Sequence, residues 1–323
     1  MFGHPLLSPQ VAVTPSGVYV AWQVSPPDSA AVHSELTRID AATGRIQARR
    51  RLGTAIGQVL AAAGSLWVTA PSIASQALLR LNPDSLKVTG RWRLGAARFQ
   101  AWGYQVLAVA GGGLWVADGN RLLRLSLPGA RVTGSIILPR AASSDLSANT
   151  AGTALVVGEA DGGGRGAVQR RDPATGAILA SHLVLGVSAP VVAGPIDSAV
   201  WVSEATGMMG YVQRLDAATL AAHKGTCAEG RNTNTCMEGS NDITARLANG
   251  LLWVTQVEVA GGKIRNYCAE PSDGHALAPI RLPQPALDEI LAIAPHRIFY
   301  AAPGPTASQY LRQEAIPAAC RAR

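Results

Sequence analysis

The stretch GLWVAD, from Gly113 to Asp118, decides the fold, because the same short apolar pattern recurs along the whole chain. The copies are GVYVAW from Gly17, SLWVTA from Ser65, GLWVAD from Gly113, ALVVGE from Ala154, AVWVSE from Ala199, LLWVTQ from Leu251 and RIFYAA from Arg297. Their third residues are separated by 48, 48, 41, 45, 52 and 46 positions. That period is typical of a four-stranded propeller blade and not of a helical solenoid. The tryptophan at the third position is expected to fill the space between neighbouring blades, and a ligand stack is the alternative.

A second repeated element follows each copy and predicts the third strand of the blade. It reads LTRID, LLRLN, LLRLS, VQRRD and VQRLD, and more weakly KIRNY and YLRQE. In the better copies an Asp or Asn opens a turn, as in Asp40-Ala-Ala-Thr-Gly44, where the side chain can accept backbone N–H groups further along. A fourth strand follows, as in VTGRWRLG from Val88.

We therefore predict an all-β protein, a single seven-bladed β-propeller of four-stranded antiparallel blades over residues 9–323. Residues 1–8 form an N-terminal segment that either was added to the chain or closes the ring. The seventh copy ends in IPAACRAR, which offers only a short candidate for an outermost strand.

Composition and charge restrict the partners. Hydrophobic residues make up 48% of the chain and charged residues 15%, which argues against wholesale disorder. The net charge is +7, but an arginine recurs at one position of the third strand in every copy. A column spread around a ring makes local pairing or bridging between blades the better explanation, so we expect no nucleic-acid partner. These arginines are Arg38, Arg80, Arg124, Arg170, Arg214, Arg265 and Arg312.

Targeting signals are missing from the sequence. It contains no uninterrupted apolar run of the length of about 18 residues that a membrane-spanning helix needs. Met1–Gln10 lacks the pattern of a secretory signal, as it would if a signal peptide or anchor had been removed. We expect an extracytoplasmic monomer, either secreted or the ectodomain of a membrane-anchored protein.

The four cysteines support that compartment. Cys227 and Cys236 lie close together in a polar stretch, and a local disulfide is favoured over free thiols and over a metal site. Cys268 and Cys320 are equally well explained as a disulfide or as free thiols. Disulfides are typical of extracytoplasmic proteins.

The pattern G-x-L-W-V-T/A/S followed by L-x-R-L-D-x-x-T-G resembles the YVTN/NHL-like and streptogramin-lyase-like (virginiamycin B lyase) group of propellers. The lyase resemblance implies a seven-bladed ring with an active site at the mouth of the central channel, formed by His and Glu residues and a magnesium ion. Other propellers of this shape serve as binding modules or sensor domains.

The residue that closes each repeated strand provides the candidate site. Equivalent positions in a propeller form a ring, so these residues are expected to face one end of the channel. The polar and aromatic ones are Trp22, Asp118, Glu159, Glu204 and Gln256. Asp118, Glu159 and Glu204 would bind Ca²⁺ or Mg²⁺, or a cationic small molecule. A solvated acidic rim is the alternative, and two of the carboxylates could also serve as a general acid and base.

Two connections add to this face. The segment Gly95–Gln105 carries Arg98, Phe99, Trp102 and Tyr104, which form either a wall of a ligand site or a self-packed plug. An insertion at His223–Asn241 contains Cys227 and Cys236 and is either a partner-binding loop or merely tolerated.

The sequence lacks the G-x-S-x-G, H-E-x-x-H and Walker motifs of common enzymes. We therefore predict a binding or sensor propeller without assigned catalysis, whose small-molecule or protein partner docks on this face. The alternative is a metal-dependent lyase- or lactonase-like enzyme that uses the same channel mouth.

Overall fold

A computed structural model of the chain describes residues 10–14, 16–24, 33–53, 56–71, 76–94, 106–127, 129–138, 143–149, 151–161, 163–185, 190–196, 198–206, 209–223, 235–240, 242–258, 263–282, 290–293, 296–303 and 309–321. Strands form nearly all of the regular structure in these ranges, together with one short 3-10 helix at Ala318–Cys320.

Each sheet is formed by strands that are consecutive in the sequence. Sheets 1 to 3 are formed by β1 (Gln10–Thr14), β2 (Gly17–Val24), β3 (His33–Asp40) and β4 (Ile46–Leu52); β5 (Val59–Ala62), β6 (Ser65–Pro71), β7 (Gln76–Leu81) and β8 (Val88–Arg93); and β9 (Leu107–Ala110), β10 (Gly113–Asp118), β11 (Arg121–Ser126) and β12 (Val132–Ile137). Sheets 4 and 5 are formed by β13 (Ser143–Ala148), β14 (Leu155–Ala160), β15 (Arg165–Arg171) and β16 (Ile178–Leu185); and β17 (Val191–Ile196), β18 (Ala199–Thr206), β19 (Met209–Asp216) and β20 (Thr235–Ser240). Sheets 6 and 7 are formed by β21 (Asp242–Ala248), β22 (Leu251–Glu258), β23 (Lys263–Ala269) and β24 (Ala276–Ile280); and β25 (Ile290–Ile293), β26 (Arg297–Pro303) and β27 (Gln309–Ala315).

Sheets 1 to 6 have four strands each, and sheet 7 has three in the described part of the chain. Within each sheet, every strand pairs antiparallel with the next one along the sequence, which is the meander of a propeller blade. The expected all-β propeller of four-stranded antiparallel sheets is confirmed at this level. In the described part of the C-terminal IPAACRAR, the regular structure is the 3-10 helix and not a strand.

Two compact units divide the chain, Met1–Ala97 and Arg98–Arg323. In the first unit, Leu36 and Leu52 of sheet 1 pack with Val68 and Leu79 of sheet 2. In the second unit, similar apolar clusters lie between sheets 4 and 5 and between sheets 5 and 6. The core therefore consists of layers between neighbouring sheets and not of one central mass.

The tryptophans of the repeated strand are part of these layers. The indole N–H of Trp115 donates to the carbonyl oxygen of Pro173, at 3.2 Å, in the turn of the next sheet. Trp201 bonds Pro271 of the sheet after its own in the same way, at 2.8 Å. Both side chains are fully buried, which confirms that they fill the space between blades.

The predicted Asx turns are also present. Oδ1 of Asp172 accepts the backbone N–H of Thr175 at 2.6 Å and its hydroxyl at 2.8 Å. These hydrogen bonds hold the pKa of the Asp172 carboxyl below its ordinary value. The turns at Asp40, Asn82 and Asp216 repeat the arrangement.

The arginine column holds in sheets 1 to 5 only. There each arginine is the strand partner of the aromatic or valine residue in the repeated strand, as Arg124 is of Trp115. The prediction was wrong for the last two copies, since Arg265 pairs with Gln256 and Arg312 with Tyr300. In sheet 6 the place of the arginine is taken by Cys268, the partner of Trp253.

Bridging between neighbouring sheets by these arginines is confirmed for two of them. Arg38 forms an ion pair of 2.9 Å with Asp84 in the turn of sheet 2. Arg170 donates to the carbonyl oxygen of Ala218, at 3.1 Å, in the turn of sheet 5. In sheets 1 and 4 the arginine thus contacts the same kind of turn in the next sheet that the tryptophan contacts in sheets 3 and 5.

The predicted insertion at His223–Asn241 is not a plain loop. It supplies β20, the outermost strand of sheet 5, which places Cys236 on a strand. Residues 224–234, with Cys227, lie outside the described part of the chain. The disulfide between Cys227 and Cys236 therefore stays a prediction.

Candidate functional site

The residues predicted to face the channel lie at equivalent places on the second strands of their sheets. Asp118 ends β10 and is half-buried, and its strand partner is Arg121. Gln256 on β22 is also half-buried, opposite Arg265. Glu204 lies on β18, and its side chain is outside the described part of the structure. In these two hairpins the acceptor group thus lies opposite an arginine, at the end of β10 and two residues before the end of β22.

Trp22 has the equivalent place on β2, in the first compact unit. Its side chain is outside the described part of the structure. Its role in binding stays a prediction.

Glu159 differs from the others because it is fully buried. Its Oε1 accepts a hydrogen bond of 2.8 Å from Nε2 of Gln169. The Gln169 Oε1 in turn accepts from the guanidinium of Arg171, which also donates to the carbonyl oxygen of Gly176 at 2.7 Å. The solvated rim is therefore wrong for Glu159, since this carboxylate belongs to a buried polar chain within sheet 4.

Arg171 explains why sheet 4 contains this buried hydrogen-bond network. Sheets 2, 3 and 5 have leucine at its place, as Leu125 and Leu215 show, whereas sheet 4 buries a guanidinium there. Burial lowers the pKa of Arg171, and the nearby Glu159 carboxylate opposes that shift. A buried charge needs a partner of opposite sign, and Glu159 supplies it. The second arginine of VQRRD, where other copies have leucine, was the sequence signal for this pair.

An ion pair on the innermost strands was not predicted from the sequence. Oδ2 of Asp145, on β13, lies 3.2 Å from Nη1 of Arg246 on β21. The same oxygen accepts the backbone N–H of Val192, at 2.8 Å, on the intervening strand β17. Asp145 is fully buried and Arg246 is about one quarter exposed, 24%. One carboxylate thereby ties the innermost strands of sheets 4, 5 and 6 together.

The signal for this pair was weak. Asp145 is the one charged residue of the segment SSDLSA, and Arg246 lies in DITARLA about a hundred residues later. Only the fold brings the two together, since the inner strands of sheets 4 and 6 are both beside β17.

The predicted metal ligands can be tested in part. Among the described side chains, no group of three or more His, Cys, Asp or Glu residues is arranged to hold a metal ion. Glu159 is engaged by Gln169, and the Glu204 side chain is outside the described part. A Ca²⁺ or Mg²⁺ site at Asp118, Glu159 and Glu204 stays a prediction.

The segment Gly95–Gln105, with Arg98, Phe99, Trp102 and Tyr104, lies outside the described residues. The residues that flank it are described. Leu94 N–H donates to Gln76 at the end of sheet 2 where β6 finishes, and Ala117 N–H donates to Val106 beside the end of β10. Each flank thus lies at the strand-end side of its own sheet, as predicted for an outer-to-inner connection.

A disulfide joins Cys268 of β23 to Cys320 of the 3-10 helix, with 5.8 Å between the Cα atoms. Both cysteines are fully buried in a cluster that includes Trp253, Ile298 and Ile316. Of the two alternatives left open for Cys268 and Cys320, the disulfide is confirmed.

A depression of 520 Å³ lies at the opposite end of the strands, in sheet 7. Arg297, the first residue of β26, and Ala315, the last of β27, are strand partners there. Its lining residues are His296, Arg297, Gln313, Glu314, Ala315 and Arg321. It is not at the end where the ligand-binding residues were predicted.

Comparison with known proteins supports the fold and goes no further. No protein-family model matches the chain, and no curated protein matches it. A solved structure described as the crystal structure of the mitotic checkpoint complex contains a chain that is 12% identical, with a TM-score of 0.61. The match covers 98% of this chain and 91% of that one. In the described part of the structure, no helix has the length and hydropathy to cross a membrane. The meander of the sheets and this structural similarity together show a β-propeller.

Proposed function

We propose that this chain is a seven-bladed β-propeller that works outside the cytoplasm and binds a small cationic ligand at the ends of its second strands. Propellers commonly mediate binding, because a rigid set of sheets presents variable residues at its strand ends. The proposal includes the three-stranded sheet 7 as the seventh blade, since β26 contains the seventh copy of the repeated strand.

The polar ends of the second strands carry the proposal. Asp118 and Gln256 are half-buried and offer acceptor oxygens at equivalent places in sheets 3 and 6. Half-burial matters because a polar group that is partly shielded from water forms stronger interactions with a ligand than a fully solvated one. Trp115, Trp201, Arg38 and Arg170 of the repeats are used in contacts between sheets.

The compartment is inferred from the buried disulfide between Cys268 and Cys320. Structural disulfides persist in secreted and periplasmic proteins and are rare where thiols are kept reduced. Alkylation of free thiols in freshly lysed native cells, followed by mass spectrometry, tests this inference. A fully alkylated Cys268 in that material would contradict it.

Binding is tested by thermal unfolding of the purified chain with CaCl₂, MgCl₂ or spermidine. D118N/Q256A removes one carboxylate and one amide at the proposed site. E314Q/Q313A makes the same two kinds of change at the other end of the strands and is the matched control. We expect at least one probe to raise the Tm of the wild type and the control but not that of D118N/Q256A.

Two results would overturn the site. One is the absence of a saturable shift with all three probes. The other is an equal shift in D118N/Q256A and in the wild type.

A further inference from the structure

Sheets 1 and 2 present a group of arginines that the proposed function does not use. Leu36 and Arg50 are strand partners, so their side chains are on the same face of sheet 1. Leu36 packs in the apolar layer between the two sheets, and Arg38 on that face reaches Asp84 of sheet 2. Arg50 therefore lies on the face of sheet 1 that is turned toward sheet 2.

Two arginines of sheet 2 face the opposite way, toward Arg50. Arg91 is the strand partner of Leu79, and Arg93 is the partner of Ala77. Leu79 and Ala77 pack in the same apolar layer as Leu36. The outermost strands β4 and β8 thus carry these three arginines on the facing sides of sheets 1 and 2, which border one groove together with the apolar layer between them.

These three groups are not neutralised by the described carboxylates. Asp84, the acidic residue at this layer, is taken by Arg38 at 2.9 Å. Glu35 lies on the other face of sheet 1, where it is 3.7 Å from Arg49. Nε of Arg50 is buried and has no hydrogen-bond partner among the described residues. Arg91 and Arg93 are exposed at the mouth of the groove.

We infer that Arg50, Arg91 and Arg93 form a binding site for a tetrahedral oxyanion, a phosphate or sulfate group. Guanidinium groups suit this ligand because their planar N–H donors match the spacing of its oxygens. An anion there would also relieve the repulsion between the three like charges. The phosphate can be free in solution or belong to a lipid headgroup.

The test uses the whole chain and three variants. R50Q/R91Q/R93Q removes the site. R45Q/R49Q/R51Q is the matched control. It removes the same number of charges from sheet 1, at the turn before β4 and on the face that carries Glu35. R50K/R91K/R93K keeps the charge but loses the bidentate geometry. Binding of sodium phosphate is measured by calorimetry and by thermal shift at constant ionic strength.

We expect saturable binding of phosphate to the wild type and to the control, and binding about tenfold or more weaker in R50Q/R91Q/R93Q. The lysine variant is expected between the two. Equal affinity in the wild type and R50Q/R91Q/R93Q, or no saturable binding to the wild type, would overturn the site. Equal affinity of the lysine variant and the wild type would show that charge alone accounts for phosphate binding. That result would overturn the bidentate geometry.

Vesicles identify the source of the phosphate. Co-sedimentation with phosphatidylglycerol vesicles, but not with phosphatidylcholine vesicles, and its loss in R50Q/R91Q/R93Q would indicate a headgroup. Phosphate binding without co-sedimentation would indicate a free anion. If the triple variant does not fold, the single variant R91Q, at an exposed position, is expected to weaken phosphate binding on its own.

Discussion

Trp115 and Pro173 belong to neighbouring sheets, and a hydrogen bond of 3.2 Å from indole N–H to carbonyl oxygen joins them. The bond connects the second strand of sheet 3 to the turn between β15 and β16. Trp201 and Pro271 repeat the relationship between sheets 5 and 6. A structural role of the tryptophan column therefore rests on a specific contact as well as on its apolar area.

Substitution of these tryptophans is expected to weaken the contact between sheets. W115F keeps most of the ring and removes the donor, and it should lower the free energy of unfolding by about 1 kcal/mol. W115A also leaves a cavity and should lower it by about 3–5 kcal/mol. Urea unfolding followed by tryptophan fluorescence and circular dichroism measures both. In W253F the lost hydrogen bond is internal to sheet 6, so this variant is the control for effects within one sheet.

An added side chain at Gly176 is expected to destabilise the protein. It has φ of +76°, and an added Cβ would lie 1.9 Å from Cδ1 of Ile136. Gly64 has a similar φ of +67° and open space around the added atom. Both alanine variants should lose about 1–2 kcal/mol through backbone strain. G176A should lose about 1–3 kcal/mol more through overpacking. Equal unfolding midpoints for G176A and G64A would show that sheets 3 and 4 are not packed as described.

The buried polar chain of sheet 4 is expected to behave as a unit. R171L installs the residue of the neighbouring copies and leaves the Glu159 carboxylate buried without its countercharge, which should cost about 3–5 kcal/mol. E159L/R171L removes both charges and should recover most of that loss. A double-mutant cycle on denaturant unfolding measures the coupling. Additive losses in the two single variants would contradict a shared network.

The Asx turns are expected to make the free energy of unfolding depend on pH in the acid range. The pKa values of Asp40, Asp172 and Asp216 are lowered by the backbone N–H and then by the hydroxyl of the following threonine. A carboxyl with a lowered pKa stabilises the fold above its ordinary value of 3.8, and the contribution is lost as the pH falls through the folded value. The variant T43V/T175V/T219V should therefore lose less stability than the wild type between pH 6 and pH 3. Identical pH profiles would exclude these hydroxyls as a cause.

Removal of the disulfide should destabilise the chain. Cys268 and Cys320 are 52 residues apart, and C268S/C320S should lower the free energy of unfolding by about 2–4 kcal/mol. Reducing agent should have little further effect on that variant unless Cys227 and Cys236 form the second predicted disulfide. Titration of free thiols in denaturant decides this point, because the sequence contains four cysteines. Two free thiols in the wild type would mean that Cys227 and Cys236 are reduced.

The fold could be predicted because its signals are local and repeated. The spacing of the W-V-T strands is visible when the copies are compared, and the Asx turns and the alternation of buried residues are visible within single copies of the repeat. The prediction of the arginine column failed for the two weak copies, because it relied on the local pattern alone. Arg265 and Arg312 align with the other arginines in sequence. The strand register in the β22–β23 and β26–β27 hairpins nevertheless gives them the partners Gln256 and Tyr300.

The site was less predictable because its contacts join distant segments. Glu159 looked like a strand-end residue, and only the neighbouring Arg171 showed that it is a buried countercharge. Asp145 and Arg246 are brought together only by the order of three sheets. The groove of Arg50 and Arg91 depends on which face each strand turns to its neighbour, which the sequence alone does not specify.

The contact from a tryptophan to the turn of the following sheet has a direction along the chain. Trp115 precedes Pro173 by 58 residues, and Trp201 precedes Pro271 by 70. During synthesis from the N-terminus, each indole is therefore made before the turn that it holds. A sheet that leaves the ribosome meets a prepared surface on its predecessor, so the nascent protein can be assembled one sheet at a time in the order of translation.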